Sequence, residues 1–334
     1  MAPDPQTPFT RAVGIRYPLI CGAMYPCSNP ELVAAVSAAG GIGIVQPLSM
    51  IYVYRHDLRE GLRKIRTLTD KPYGFNVLTE ASSRVYLDRM RKWVDIALEE
   101  GCRFFITALG NPRWIVERVK PSGGIVYHDV TERKWALKAE DAGVDGFICV
   151  NNRAGGHAGG KDPRALVDEL RDLGKPLICA GGVGDEKGFV EAMRMGYAGV
   201  QLGTRFIATT ECAAHEDYKQ AILRATSKEI VLTEKLTGVP VSVIRTPFID
   251  KLGTKAGPVA RWLLRHSRTK HWMRLWYSVI SMRMLKKASL AGLSYRDYFQ
   301  AGKSVDGIEA IEPAGGITRR FGDAWAGAVG TSRL

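Results

Sequence analysis

Short apolar runs alternate along the first two thirds of the chain with longer stretches whose apolar positions recur at helical spacing. The runs are Tyr17–Met24, Gly41–Gln46, Pro72–Leu78, Cys102–Thr107, Gly124–His128, Gly146–Val150, Pro176–Ala180 and Ala198–Leu202. Apolar segments this short, with few alternating polar positions, read as strands covered on both faces. Between them Asn29–Ala39, Arg84–Glu100 and Thr131–Ala142 carry amphipathic helical patterns. Ser28 is a candidate N-cap for the first, and Gly40-Gly41 and Gly143 are natural stops. Strands separated in this way predict a parallel sheet, and eight of them are enough to close a barrel. The expected fold is a (β/α)8 TIM barrel, with an open doubly wound sheet as the alternative.

Beyond Leu202 the pattern changes. Residues from about Ala208 to Tyr298 read as helical, so the division expected is a barrel over 1–207, a smaller helical cap over 208–300, and a return to the barrel over 301–334. Within that return, Gly302–Phe321 is expected to supply the eighth barrel helix. Charge sharpens the division. The segment Lys251–Arg296 holds eleven Lys and Arg and no Asp or Glu, which leaves only +2 of the formal +13 for the rest. Tryptophans 262, 272 and 276 interleave with these cations. The plainest reading puts an apolar face on the barrel and the cations in water. An anionic membrane surface or an acidic acyl carrier protein would also suit the segment. Nucleic acid is the least favoured partner, because no recognised motif accompanies the charge. Oligomeric state is not specified.

With 46% apolar residues in 334, the chain can bury a large core. Of its six cysteines, Cys21, Cys102, Cys149 and Cys179 fall in or beside apolar runs, and the six lack the spacing of a metal-ligand set. They read as small buried hydrophobes in a reducing cytoplasm. Residues 1–16 show no basic region followed by an apolar run, and no stretch is apolar for long enough to span a bilayer. A cytoplasmic location, with at most peripheral membrane contact, is expected.

Candidate chemistry lies where strands hand over to helices, because barrel enzymes work at that rim. Ala180-Gly-Gly-Val-Gly184 and Gln201-Leu-Gly-Thr204 follow the seventh and eighth runs. Glycines there let backbone N–H groups close on a phosphate, and Thr204 adds a hydroxyl. After the sixth run comes Asn151-Asn-Arg-Ala-Gly-Gly-His-Ala-Gly-Gly160, which sets His157 on the rim as a general base or as a donor to a developing anion. His128, at another strand end and followed by Asp129, reads as support or packing. His56, His215, His266 and His271 lie away from the rim.

Together these segments resemble the nitronate monooxygenases, formerly called 2-nitropropane dioxygenases, a family that includes FMN-dependent enoyl-acyl-carrier-protein reductases and some NADH:quinone reductases. The motifs are Cys21-Gly-Ala-Met24, Gly74-Phe-Asn76, Ala154-Gly-Gly-His-Ala-Gly159, Ala180-Gly-Gly-Val183 and Gln201-Leu-Gly-Thr-Arg205, in the family's order. The resemblance implies FMN as cofactor, with its ring over Gly22, Ala23 and Met24 and a hydrogen bond from Asn76. It implies phosphate contacts from Gly181, Gly182, Gln201, Gly203 and Thr204, with Gly155 and Gly156 along the cofactor and His157 facing the substrate. The chain departs from the family at Arg153, where members often carry Glu. A cation there favours an anionic small-molecule substrate or fixes a carboxylate such as Asp162. The activity implied is oxidation of an alkyl nitronate or nitroalkane by O2. The alternative is an NAD(P)H-dependent flavin reductase acting on an enoyl thioester or a quinone, and a third reading is a binding protein without a working flavin.

Overall fold

The computed structural model describes residues 6–79, 84–235, 239–255, 284–291 and 298–331. Eight parallel strands close into a barrel in sequence order: β1 (Leu19–Cys21), β2 (Ile42–Val45), β3 (Gly74–Thr79), β4 (Phe104–Gly110), β5 (Ile125–Val130), β6 (Gly146–Val150), β7 (Leu177–Ala180) and β8 (Gly199–Leu202). Closure is made by β8 pairing with β1, Gln201 opposite Ile20. The fold is a (β/α)8 TIM barrel.

Helix α1 (Pro8–Val13) precedes β1. The strands are then followed by α2 (Pro30–Ala38), by α3 (Pro47–Tyr52) with α4 (Leu58–Leu68), by α5 (Arg84–Glu99), α6 (Arg113–Val119), α7 (Arg133–Asp141), α8 (Pro163–Leu170), α9 (Glu186–Arg194) and the short α10 (Thr204–Ile207). Helix α1 stoppers the N-terminal end. Thr7 caps it and donates from Oγ1 to the Ala198 carbonyl, and Phe9 packs its ring 5.7 Å from those of Phe104 and Tyr127.

Strand alternation sorts the core into two shells. Ile20, Ile44, Ile106, Tyr127, Ile148 and Ile178 fill the barrel interior. Their neighbours along the strands, such as Val45, Phe105, Val126, Cys149 and Leu202, pack outward under the helices.

After β8 the chain is not all-helical, contrary to the expectation for 208–300. Helix α11 (Glu216–Arg224) leads into an antiparallel ribbon of β9 (Ile230–Thr233) and β10 (Val241–Ile244), then α12 (Pro247–Leu252). The runs Ile-Val-Leu-Thr and Val-Ser-Val-Ile are rich in β-branched residues, which favour a pleated surface. Most of the basic segment, residues 256–283 and 292–297, lies outside the described residues. Its helical part at 284–291 turns Leu285 onto Val241, Val243 and Ile249 of the ribbon and α12, while Lys286 donates to the Tyr52 carbonyl. Among the described residues no helix is long and apolar enough to cross a membrane.

The chain then returns through a 3-10 turn, Lys303–Gly307, to the helix Ala314–Thr331. That helix packs on α9, α2 and β1, the place of an eighth barrel helix. It ends farther along than Phe321, and Asp323 accepts a hydrogen bond from Tyr17 at 2.7 Å.

Candidate active site

At the C-terminal mouth, the turn after β7 is held in a conformation few side chains tolerate. Gly181 and Gly182 have φ of 119° and 84°, in the region that favours glycine. A Cβ on Gly181 would fall 2.6 Å from Asn151 Oδ1, and one on Gly182 would fall 2.6 Å from Arg153 Cδ. The histidine loop therefore lies directly against this turn. Asn151, fully buried, clamps the two: its Nδ2 donates to the Gly181 carbonyl at 2.9 Å, and its Oδ1 accepts from the Arg153 N–H at 2.8 Å.

The return segment forms the third wall. A Cβ on Gly302 would sit 2.6 Å from both the Arg153 carbonyl oxygen and the Gly155 nitrogen. The Gly302 N–H donates to Thr204 Oγ1 at 3.0 Å, and the Lys303 N–H donates to the Arg153 carbonyl at 2.8 Å. Beyond Gly155, the Gly156 carbonyl accepts from the Ser242 N–H at 2.7 Å, so β10 fixes the loop just before His157.

On the β1 side, the Gln201 side chain lies over Gly22, whose Cβ would fall 3.0 Å from Gln201 Cγ. Gln201 Oε1 is shut off from water and finds no partner among the described residues. The Met24 N–H is held by Ser28 Oγ at 2.8 Å, and Met24 Sδ would lie 3.6 Å from a Cβ on Gly203. Ala23 packs against the interior core. The structure thus brings Gly22, Ala23, Met24, Gly155, Gly156, Gly181, Gly182, Gln201, Gly203 and Thr204 around one end of the barrel. Asn76 is half-buried on β3 and inward-facing, opposite Ile106.

His157 is exposed at the mouth, yet the protein around it withholds enough water to keep its imidazolium disfavoured, and its pKa lies below the ordinary histidine value. A neutral imidazole at neutral pH can accept a proton. Burial lowers the pKa of His128 further, to about 4. His128 faces the outer shell, with Nδ1 2.7 Å from Thr107 Oγ1, and so packs rather than lining the mouth. Asp129, the next residue, takes the inward place.

Arg153 does not hold Asp162. Asp162 caps α8 by accepting from the Ala165 N–H at 3.0 Å. Arg153 instead crosses Gly182 and, with Lys303, lines a cavity of roughly 440 Å3 beside the glycine turn. Arg205, 2% exposed, donates to the Ala310 carbonyl at 3.0 Å and pairs with Glu312 at 2.5 Å, tying the return segment to the turn after β8.

Sequence reasoning passed over Asn151, Ser242, Gly302, Asp129 and the buried role of Arg205. Only Asp129 left a usable signal, because strand alternation carried one step past His128 turns it inward.

The family model described as nitronate monooxygenase matches residues 6–317. A Mycobacterium tuberculosis protein named (3aS,4S,5R,7aS)-5-hydroxy-7a-methyl-1-oxo-octahydro-1H-indene-4-carboxyl-CoA dehydrogenase is 30% identical, over 82% of this chain and 77% of its own. A Staphylococcus saprophyticus protein named "Probable nitronate monooxygenase" is 28% identical, over 74% of this chain and 80% of its own. Among solved structures, FabK from Thermotoga maritima superposes with a TM-score of 0.78 at 30% identity, covering 98% of both chains.

Proposed function

The chain belongs to the nitronate monooxygenase family of oxidoreductases, and on that premise we propose that it is an FMN-dependent enzyme that oxidises an alkyl nitronate, or its parent nitroalkane, with O2. The observation that carries this reading is the glycine-lined mouth: the Gly181-Gly182 turn lies against the loop of Asn151 and Arg153, Gly302 closes on that loop and on Thr204, and Gly22 lies under Gln201, whose Oε1 has no partner among the described residues. Such a cradle suits a phosphate and a chain of hydroxyls: close backbone approach, a hydroxyl donor, and an acceptor in want of a hydrogen. Gly181, Gly182, Gln201, Gly203 and Thr204 hold the phosphate end. Gly22, Ala23 and Met24 support the ring, Asn76 bonds its edge, and Gly155 and Gly156 run alongside. When bound, FMN supplies the electron acceptor.

The residues then divide the work. His157, neutral at neutral pH, takes the α-proton of a nitroalkane. A nitronate has already lost that proton, so His157 only orients it. Arg153 adds positive charge near the mouth and draws an anion in. The carbon ends as a carbonyl whose oxygen comes from O2 and the nitrogen leaves as nitrite, two nitronates consuming one O2.

A second reading has support of its own. Similarity to a protein named as a carboxyl-CoA dehydrogenase and to FabK favours a thioester substrate. On this reading the protein is an NAD(P)H-dependent reductase of an enoyl thioester or quinone, and an acidic acyl carrier protein docks on Lys251–Arg296. Mixing the purified, FMN-loaded protein anaerobically with a nitronate, and separately with NADPH or NADH, decides between them. Loss of visible flavin absorbance with the nitronate is the expected result. Loss only with a pyridine nucleotide refutes the first reading and selects the second.

A further inference from the structure

Among the inward-facing positions of the eight strands, Asp129 carries the one carboxyl group. Tyr127, two residues earlier on β5, belongs to the interior core, whereas Val126 and Val130 pack in the outer shell. Asp129 therefore points into the barrel, near the C-terminal end of its strand. It sits opposite Ile148 of β6. Its Oδ1 is closed to solvent and has no hydrogen-bond partner among the described residues. A carboxylate oxygen closed off in this way stays unsatisfied unless a molecule seated in the mouth reaches it.

The groups around it do not answer the need. The facing parts of β4 and β6 present Ile106, Ala108, Ile148 and Val150. Cys149 on β6 keeps its thiol proton, because burial drives its pKa well up. Tyr127 is likewise kept protonated by burial. His128 is directed to the outer shell and stays neutral, and His157 lies on the loop after β6. Burial alone pushes the carboxyl of Asp129 up to about 7. Near neutral pH the group can thus donate a hydrogen bond as an acid or accept one as an anion.

We propose that Asp129 is a positioning residue of the mouth: its carboxyl hydrogen-bonds the bound flavin and, when ionised, opposes the negative charge that the flavin gains on reduction. The assignment rests on the FMN reading above and goes beyond it by naming a group that adds its own ionisation to the pH dependence of the flavin's potential. No step of the oxidation is routed through Asp129.

The test is the midpoint potential of the bound FMN across about pH 5.5 to 8.5, for the wild type and Asp129→Asn. Asparagine keeps the shape and hydrogen-bonding capacity but cannot ionise. The wild-type potential is expected to fall more steeply with pH around 7 than that of the variant, whose profile lacks this break. A wild-type break that Asp129→Asn reproduces unchanged belongs to another group, the ionisation of the reduced flavin included, and would overturn the assignment. So would parallel profiles in the two proteins. If Asp129→Asn does not fold, Asp129→Ser takes its place in the same comparison, and a profile parallel to that of the wild type refutes the proposal. Failure of the wild type to take up FMN overturns the FMN reading and this inference with it, whereas uptake with parallel profiles overturns only the role of Asp129.

Discussion

His128 and Asp129 are adjacent on β5, point to opposite faces of the barrel wall, and pull stability in opposite directions with pH. His128 is neutral when folded, with a pKa of about 4 against an ordinary 6.5. The unfolded chain takes up the proton first, so His128 costs stability as pH falls from 6.5 toward 4, by about 3 kcal/mol in full. Asp129 is protonated when folded up to about 7, against an ordinary 3.8. The unfolded chain loses that proton first, so Asp129 costs stability as pH rises from about 4 to about 7, by about 4 kcal/mol in full. In the ligand-free wild type the two slopes largely cancel, and the pair leaves a net change of about 1 kcal/mol. His128→Gln exposes the slope of Asp129, and stability then falls with rising pH. Asp129→Asn exposes the slope of His128, with His157 adding the same sign, and stability then rises. Urea midpoints from about pH 5.5 to 7.5 read both, above most of the range in which the unfolded chain protonates Glu100, Asp172 and Glu312, whose carboxyls the fold holds below their ordinary values. Profiles parallel to wild type in both variants would refute the reasoning, since neither group would then be buried as the register demands.

Three further outcomes test the site. His157→Ala is expected to lose activity on a neutral nitroalkane by roughly 100-fold or more and on the preformed nitronate far less, and equal losses would sink its role as base. Gly302→Ala places a Cβ 2.6 Å from backbone atoms of both Arg153 and Gly155, so FMN titration should show about tenfold or greater weakening, worth about 1.4 kcal/mol. Unchanged affinity would mean that the return segment does not shape the cradle. Glu312→Gln leaves the enclosed Arg205 without its counter-charge, and thermal unfolding should register a loss of about 2–3 kcal/mol. The figure stays below that for a fully enclosed pair because Glu312 is itself partly open to water.

How far the sequence could be read follows from what sets each feature. Barrel strands buried on both sides must be largely apolar, so each of the eight barrel strands overlaps one of the apolar runs. The overlap fails at the mouth ends of β4 and β5, which continue to Gly110 and Val130. There the inward positions face the site rather than the core, and polarity no longer marks the end of a strand. Strand period remains a guide where hydrophobicity lapses: Tyr127 inward fixes His128 outward and Asp129 inward. The glycine turns were legible because glycine itself marks a close backbone approach after a strand. Their supports were not, because they depend on distant partners. Asn151 reads as one more polar residue after a strand, and its clamp onto Gly181 exists only once β6 and β7 are neighbours. Arg205 reads as a surface cation until Glu312 returns to it from over a hundred residues away. The ribbon β9–β10 was hidden for the same reason: its β-branched runs have strand partners only once β10 is bonded to β9, to Gly156 and to Gln300. Selection for chemistry thus leaves local marks at the mouth, while the elements that hold the chemistry in place are written in pairs of positions that only the closed barrel brings together.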